Sequence, residues 1–217
     1  LAVAQSQQAL ASRVYPLAKP IVCPEITLDA SEAPDLAYWL VSAKALGTAW
    51  FPHICQLLST QGFTPPKKIR FVMKAKQDAP AQAGSDEISF SAPYVRTHLT
   101  DLGMVVHEMT HVVQNYPENK VDAGWLVEGI ADYVRWWRYE PEAPRRPIDF
   151  SKATYRDAYR TTAWWLGWVA QKYDLRLVPM LDLKLRRGQD PMPMFRLYTG
   201  KEAPALWDEF RAATERK

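Results

Sequence analysis

The amino-acid sequence predicts an α+β fold in which a small mixed sheet packs on one buried helix and a mainly helical lobe follows. Two alternating stretches predict the sheet. In residues 67–75 Ile69, Phe71 and Met73 alternate with Arg70 and Lys74, and in residues 87–91 Ile88 and Phe90 share a face; side chains two apart line one side of a strand. The buried helix is residues 103–116, whose apolar surface is supplied by Val105, Val106, Met109, Val112 and Val113 together with Leu102 just before it. From residue 122 onward, apolar positions recur at helical spacing.

A chain of 217 residues and 24.8 kDa fits one domain. Its expected parts are an N-terminal arm over 1–28, an upper lobe over 29–117 that ends in the buried helix, and a helical lower lobe over 118–217. Apolar residues make up 47% of the chain, enough for a real core. The net charge is +3 and no basic stripe interleaved with aromatics stands out, so no nucleic-acid partner is expected. No apolar run approaches roughly eighteen residues, so no membrane span is expected either. The opening residues LAVAQSQQA read either as the end of a signal peptide around a small-residue cleavage site, the reading behind the expectation of a secreted or periplasmic protein, or as a slightly hydrophobic, frayed N-terminus. Cys23 and Cys55 either bridge in an oxidising compartment or remain two thiols; their spacing does not choose.

In chain order, three prolines break up the arm, leaving a short edge strand around 21–23. A helix follows over 34–59, with Gly47 and Pro52 as threats of a kink and His53 as a structural histidine. After Pro65-Pro66 come the strand 67–75, a long turn over 76–86 and the strand 87–91, read either as the border of a substrate cleft or as an ordinary edge. Thr100 or Asp101 offers an N-cap to the buried helix and Pro117 stops it. A second helix starts at Asp122 and runs through 138. The Pro-rich residues 141–147 read as the clearest linker. Helices over 155–173, 178–187 and 202–216 complete the chain, with Gly188 ending the second of these and a short turn after Pro193. Trp136, Trp137, Trp164, Trp165 and Trp168 read as core between helices, their indole N–H groups finding local partners, in preference to a stacking platform.

The chemistry lies in the buried helix. His107-Glu108-Met109-Thr110-His111 is an HExxH pattern, and residues four apart on a helix stack on one face, so both imidazoles can meet one cation. Glu108 stands beside them as a general base for a water on that metal. A hydrolytic zinc site wants a third protein ligand and one open position. Glu128, on the following helix, is placed to supply it, and Asp132, one turn on, to accept the free ring N–H of a ligand histidine. This HExxH-then-ExxxD order is the gluzincin arrangement and makes the expected fold zincin-like. Gln114, one turn beyond His111, either lines the cleft or faces water.

The segments KIRFVMKA, DEISFSAPYV, VVHEMTHVVQ, GWLVEGIADYVRW and DAYRTTAWWLGWV together resemble the basic secretory protein family of secreted zinc metallopeptidases from plants and microbes. The likeness runs from about Lys68 to Phe210. It implies His107, His111 and Glu128 as ligands of Zn2+, Glu108 as catalytic acid/base and Tyr159 as a match to a family tyrosine. Tyr159 thereby becomes the candidate for stabilising an oxyanion, against a simpler role as a tyrosine packed in an aromatic helix. Where the family shows paired glycines, this chain has Ala123-Gly124 followed by Trp125, so substrate preference does not carry over.

The expected function is metal-assisted hydrolysis of peptide bonds by an endopeptidase acting on peptides or proteins. A reading from another class is a non-catalytic glycan- or protein-binding module on the same scaffold, which an intact Glu108 argues against. A purely structural zinc site is opposed by the three-ligand pattern with its open position.

Overall fold

Four strands, Glu25–Asp29 (β1), Lys68–Lys74 (β2), Ala81–Ala83 (β3) and Glu87–Ser91 (β4), form one mixed sheet in the computed structural model, which describes residues 21–58, 61–117 and 122–215. The order is β1-β2-β4-β3; β2 runs parallel to β1 and β4, and β3 is antiparallel to β4. Parallel neighbours need a long crossover. A 3-10 turn, Pro34–Leu36, and the helix Ala37–Leu57 (α1) provide it between β1 and β2. Ile69, Phe71, Val72 and Met73 are all buried, so central β2 is covered on both faces where an alternating pattern had suggested one.

Several expectations change here. The edge strand is β1, not residues 21–23, because Pro24 has no N–H to donate and the ladder begins after it. The long turn over 76–86 contains β3, a three-residue strand of weak propensity. The β4 ladder recruits it: Ser91 N–H donates to Pro80 at 2.9 Å and Gly84 N–H to Glu87 at 2.7 Å. β3, not β4, is therefore the edge. The helix α1 runs through Gly47 and Pro52 unbroken. Gly47 is where α1 crosses the sheet; a Cβ there would lie 3.1 Å from the Phe71 ring. A short helix, Ala92–Thr97 (α2), was not foreseen. Pro93 fits a first turn, and Ser91 Oγ accepts from Tyr94 N–H at its start.

Next come the helices Gly103–Gln114 (α3), Gly124–Asp132 (α4), Tyr159–Lys172 (α5), Leu177–Arg186 (α6), Pro193–Thr199 (α7) and Ala203–Thr214 (α8). The described residues group into two compact units. One holds those between 17 and 55 and between 62 and 115; the other holds those of 56–61 and from 116 to the C-terminal end. In the first, Trp39, Phe71 and Phe90 meet edge to face in the core, and α3 packs beside β3.

The second unit is helical. Beyond Asp132 the predicted long helix widens into a π-helical segment, Tyr133–Tyr139, closed by Glu140 N–H donating to the Arg135 carbonyl. Helices α4 and α5 approach so closely that a Cβ on Gly129 would stand 2.2 Å from Thr162 Cγ2. One on Gly167 would meet the Trp137 ring at 2.3 Å. Fully buried Trp165 stacks on Phe195 at 5.0 Å and touches Tyr155, Trp125 and Trp207. The tryptophans are thus core at Trp164 and Trp165 and half-buried at Trp136, Trp137 and Trp168. Contrary to expectation, the Nε1–H groups of Trp125 and Trp165 are buried with no hydrogen-bond partner among the described residues. Residues 141–147 separate no units: they belong to a loop inside this one, where Arg145 lies over Trp137 at 4.2 Å. Buried Asp182 accepts from Tyr116 Oη at 2.7 Å and pairs with Arg186.

Two outcomes are expected from these contacts. Gly129→Ala should destabilise the fold by about 1–3 kcal/mol in denaturant unfolding, and adding Thr162→Ser should recover part of that loss; equal stability of Gly129→Ala and wild type would refute the close approach. The second concerns Glu209, which accepts from Lys201, Tyr173 and Lys172; these partners hold its carboxyl well below its ordinary 4.5, at about 2. Its contribution is complete above pH 4.5 and is lost as pH falls from 4.5 towards 2. The side chain is 28% exposed, so screening leaves about 1 kcal/mol. Glu209→Gln should remove that amount near neutrality and flatten the fall in Tm between these pH values.

Candidate metal centre

Helix α3 is buried on nearly every side. All its residues from Gly103 to Gln114 are buried except half-buried His111. It starts without the predicted cap: Leu102 occupies that position and makes no side-chain bond, while the Asp101 carboxylate accepts instead from Tyr94 Oη at 2.8 Å. It ends at Asn115 in the left-handed conformation, φ 30°, whose N–H donates to the His111 carbonyl. Pro117 follows.

Polar side chains inside such a helix need partners. Thr110 Oγ1 donates to the Val106 carbonyl at 2.8 Å. His111 Nδ1 lies 2.7 Å from Gln114 Oε1. An amide oxygen only accepts, so Nδ1 carries the proton and Nε2 keeps its lone pair. That Nε2 stands 3.1 Å from Nε2 of His107, with the rings edge to face. His107 is 8% exposed and Glu108 7%.

His107, His111 and Glu128 each offer one ligand atom, and the three lie within 4.8 Å of one another. His107 is buried and the other two are half-buried. This group could hold a metal ion. The donor set fits: two imidazole nitrogens on one tetrahedral zinc stand about 3.3 Å apart, close to the 3.1 Å found here.

Of the remaining predicted residues, Asp132 ends α4, one turn after Glu128, and is 5% exposed. Tyr159 opens α5 four residues later than the predicted helix start. It is 55% exposed, so it is not a tyrosine packed in an aromatic helix. Ala158 (φ 63°) and Tyr159 (φ 43°) both hold left-handed backbone that non-glycine residues seldom adopt. Gln114 corrects an expectation: it neither lines a cleft nor faces water, being 1% exposed and bonded to His111. Its position three residues after His111, on the same helix face, was the available signal.

A family model described as BSP, peptidase of plants and bacteria, matches residues 45–210. The chain belongs to this family. Comparison with curated proteins and with solved structures gave no match. As a BSP family member the protein is implied to act as a peptidase, with peptides or proteins as substrates. The matched stretch takes in α3, α4 and α5, hence every predicted site residue, and leaves out β1. No helix among the described residues is long and apolar enough to cross a membrane. Cys23, half-buried, and Cys55, buried, form no disulfide with each other.

Removing the group that fixes the His111 tautomer should weaken the site. Gln114→Ala is expected to lower affinity for a divalent metal ion about ten- to hundredfold in chelator competition, with the fold retained; unchanged affinity would show that the Gln114 contact does not orient the ring.

Proposed function

We propose that the protein is a zinc-dependent endopeptidase of zincin-like fold, secreted or periplasmic, that cleaves peptide bonds at the His107–His111–Glu128 group. The observation that carries this reading is the convergence of these three ligand atoms beside buried Glu108, in a member of a peptidase family. Softer thiolates are absent from the donor set, and two imidazoles with one carboxylate suit zinc. A zinc ion held there supplies Lewis acidity towards a water and a scissile carbonyl.

The chain's own residues divide the remaining work. Glu108 takes the proton of the attacking water on its carboxylate oxygen and returns it to the departing amine nitrogen. Its burial excludes bulk water from competing for that proton. Gln114 keeps the His111 Nε2 lone pair available. Asp132 is assigned the same duty, accepting the ring N–H of a ligand histidine. Tyr159, an exposed phenol, donates a hydrogen bond to the developing oxyanion without changing its charge.

Edge strand β3 is the candidate for aligning substrate. Bonds from Gly84 to Glu87 and from Ser91 to Pro80 pair its even-numbered residues with β4. Backbone groups of Ala81 and Ala83 therefore point away from β4, where an extended peptide can add as a further strand.

The reading is tested by digesting a diverse peptide mixture with wild type and Glu108→Gln, followed by mass spectrometry. Wild type should cleave and lose activity to a chelator; Glu108→Gln should bind zinc and cleave at least about a thousandfold more slowly. Zinc bound to both proteins with cleavage by neither would replace the peptidase with the binding-module reading.

A further inference from the structure

We infer that Gly124 is a substrate contact: its missing side chain keeps clear the face of α4 that carries Glu128, so that a peptide held at the metal group lies against bare helix backbone there. This assignment rests on the peptidase reading above.

A glycine in a helix lowers stability relative to alanine, so its presence calls for a reason. Two reasons account for other glycines of this chain. Gly62, Gly188 and Gly200 hold positive φ, which a side chain opposes. Gly47, Gly129 and Gly167 lie where a Cβ would come within 3.1, 2.2 and 2.3 Å of a neighbouring side chain. Neither reason holds at Gly124. It is the first residue of α4 and is not among the positive-φ glycines. A Cβ placed on it meets no atom of the described residues within 4 Å. Alanine therefore fits the fold at this position without steric cost.

The open space lies next to the chemistry. Gly124 and Glu128 are four residues apart on α4 and share one face, which puts their Cβ positions roughly 5–6 Å apart. Helical side chains lean towards the N-terminus, so the Glu128 side chain inclines towards the turn that Gly124 opens. That carboxylate lies within 4.8 Å of the ligand nitrogens of His107 and His111. Ala123, Trp125 and Leu126 around Gly124 are buried, whereas Gly124 is exposed and Glu128 half-buried. An extended peptide advances about 3.3–3.6 Å per residue, so one whose carbonyl is at the metal group reaches Gly124 within about two residues.

Stability and binding move in opposite directions if this is right. Full-length protein carrying Glu108→Gln, loaded with zinc, is compared with the same protein carrying in addition Gly124→Ala or Gly124→Leu. Both additions should leave zinc affinity unchanged in chelator competition. Both should unfold at no lower denaturant concentration than the parent, since Ala and Leu are better helix formers than Gly. Calorimetric affinity for the end-blocked peptide that the parent binds best in a panel should fall about threefold with Ala and about thirtyfold with Leu. Unchanged peptide affinity in both variants overturns the proposal and leaves Gly124 as a residue that faces only solvent. Peptide affinity lost together with zinc affinity also overturns it, because the added side chain then disturbs the metal group. Failure of the peptidase reading shows separately, as wild-type protein that holds zinc and cleaves no peptide of the panel.

Discussion

A helix that takes two imidazoles, a carboxylate and an amide into a protein interior must find a partner for each of them. That requirement governs α3. All its residues but half-buried His111 are buried, so bulk water cannot satisfy most of the polar ones. Thr110 turns back on its own helix, and Gln114 takes the outer nitrogen of His111. His107 and His111 bring two ring nitrogens within 3.1 Å of each other, with Glu128 completing the set. A metal ion held by this group would answer all three donors together.

The helical unit meets a different constraint, that of close approach. Gly129 and Gly167 sit where Thr162 and Trp137 leave no room for a methyl group. These contacts seat the helix carrying Glu128 against the one that starts at Tyr159. Just beyond Asp132, the π-helical segment changes the rotation of the chain so that Trp136 and Trp137 end up half-buried beneath arginines.

Much of the site was legible because its signals are local. HExxH and the carboxylate one helix later are patterns of spacing, and the structure brings His107, His111 and Glu128 together. Strands β2 and β4 and the helices α1 and α5–α8 followed from periodicity, with ends displaced by a few residues. The misses share one cause. β3 exists only because β4 offers a ladder, α2 because Ser91 caps a turn containing proline, and the uncapped start of α3 because Asp101 is taken by Tyr94. Each depends on a partner that no local pattern names. Gly47 reads as a weak point in a helix until the Phe71 ring beneath it is known.

The parallel pairing of β1 with β2 has a consequence for how the chain reaches this state. Glu25 aligns with Lys68, so this edge of the sheet closes only after about forty intervening residues are ordered. Contacts so distant in sequence form slowly, because the entropy of closing the loop is lost before any ladder bond is gained. The helices of the second unit rest on nearer neighbours, such as α6 with α7, and can collapse sooner. The β1 edge of the sheet is therefore its late-forming part, and during synthesis β1 must wait unpaired until β2 has been made.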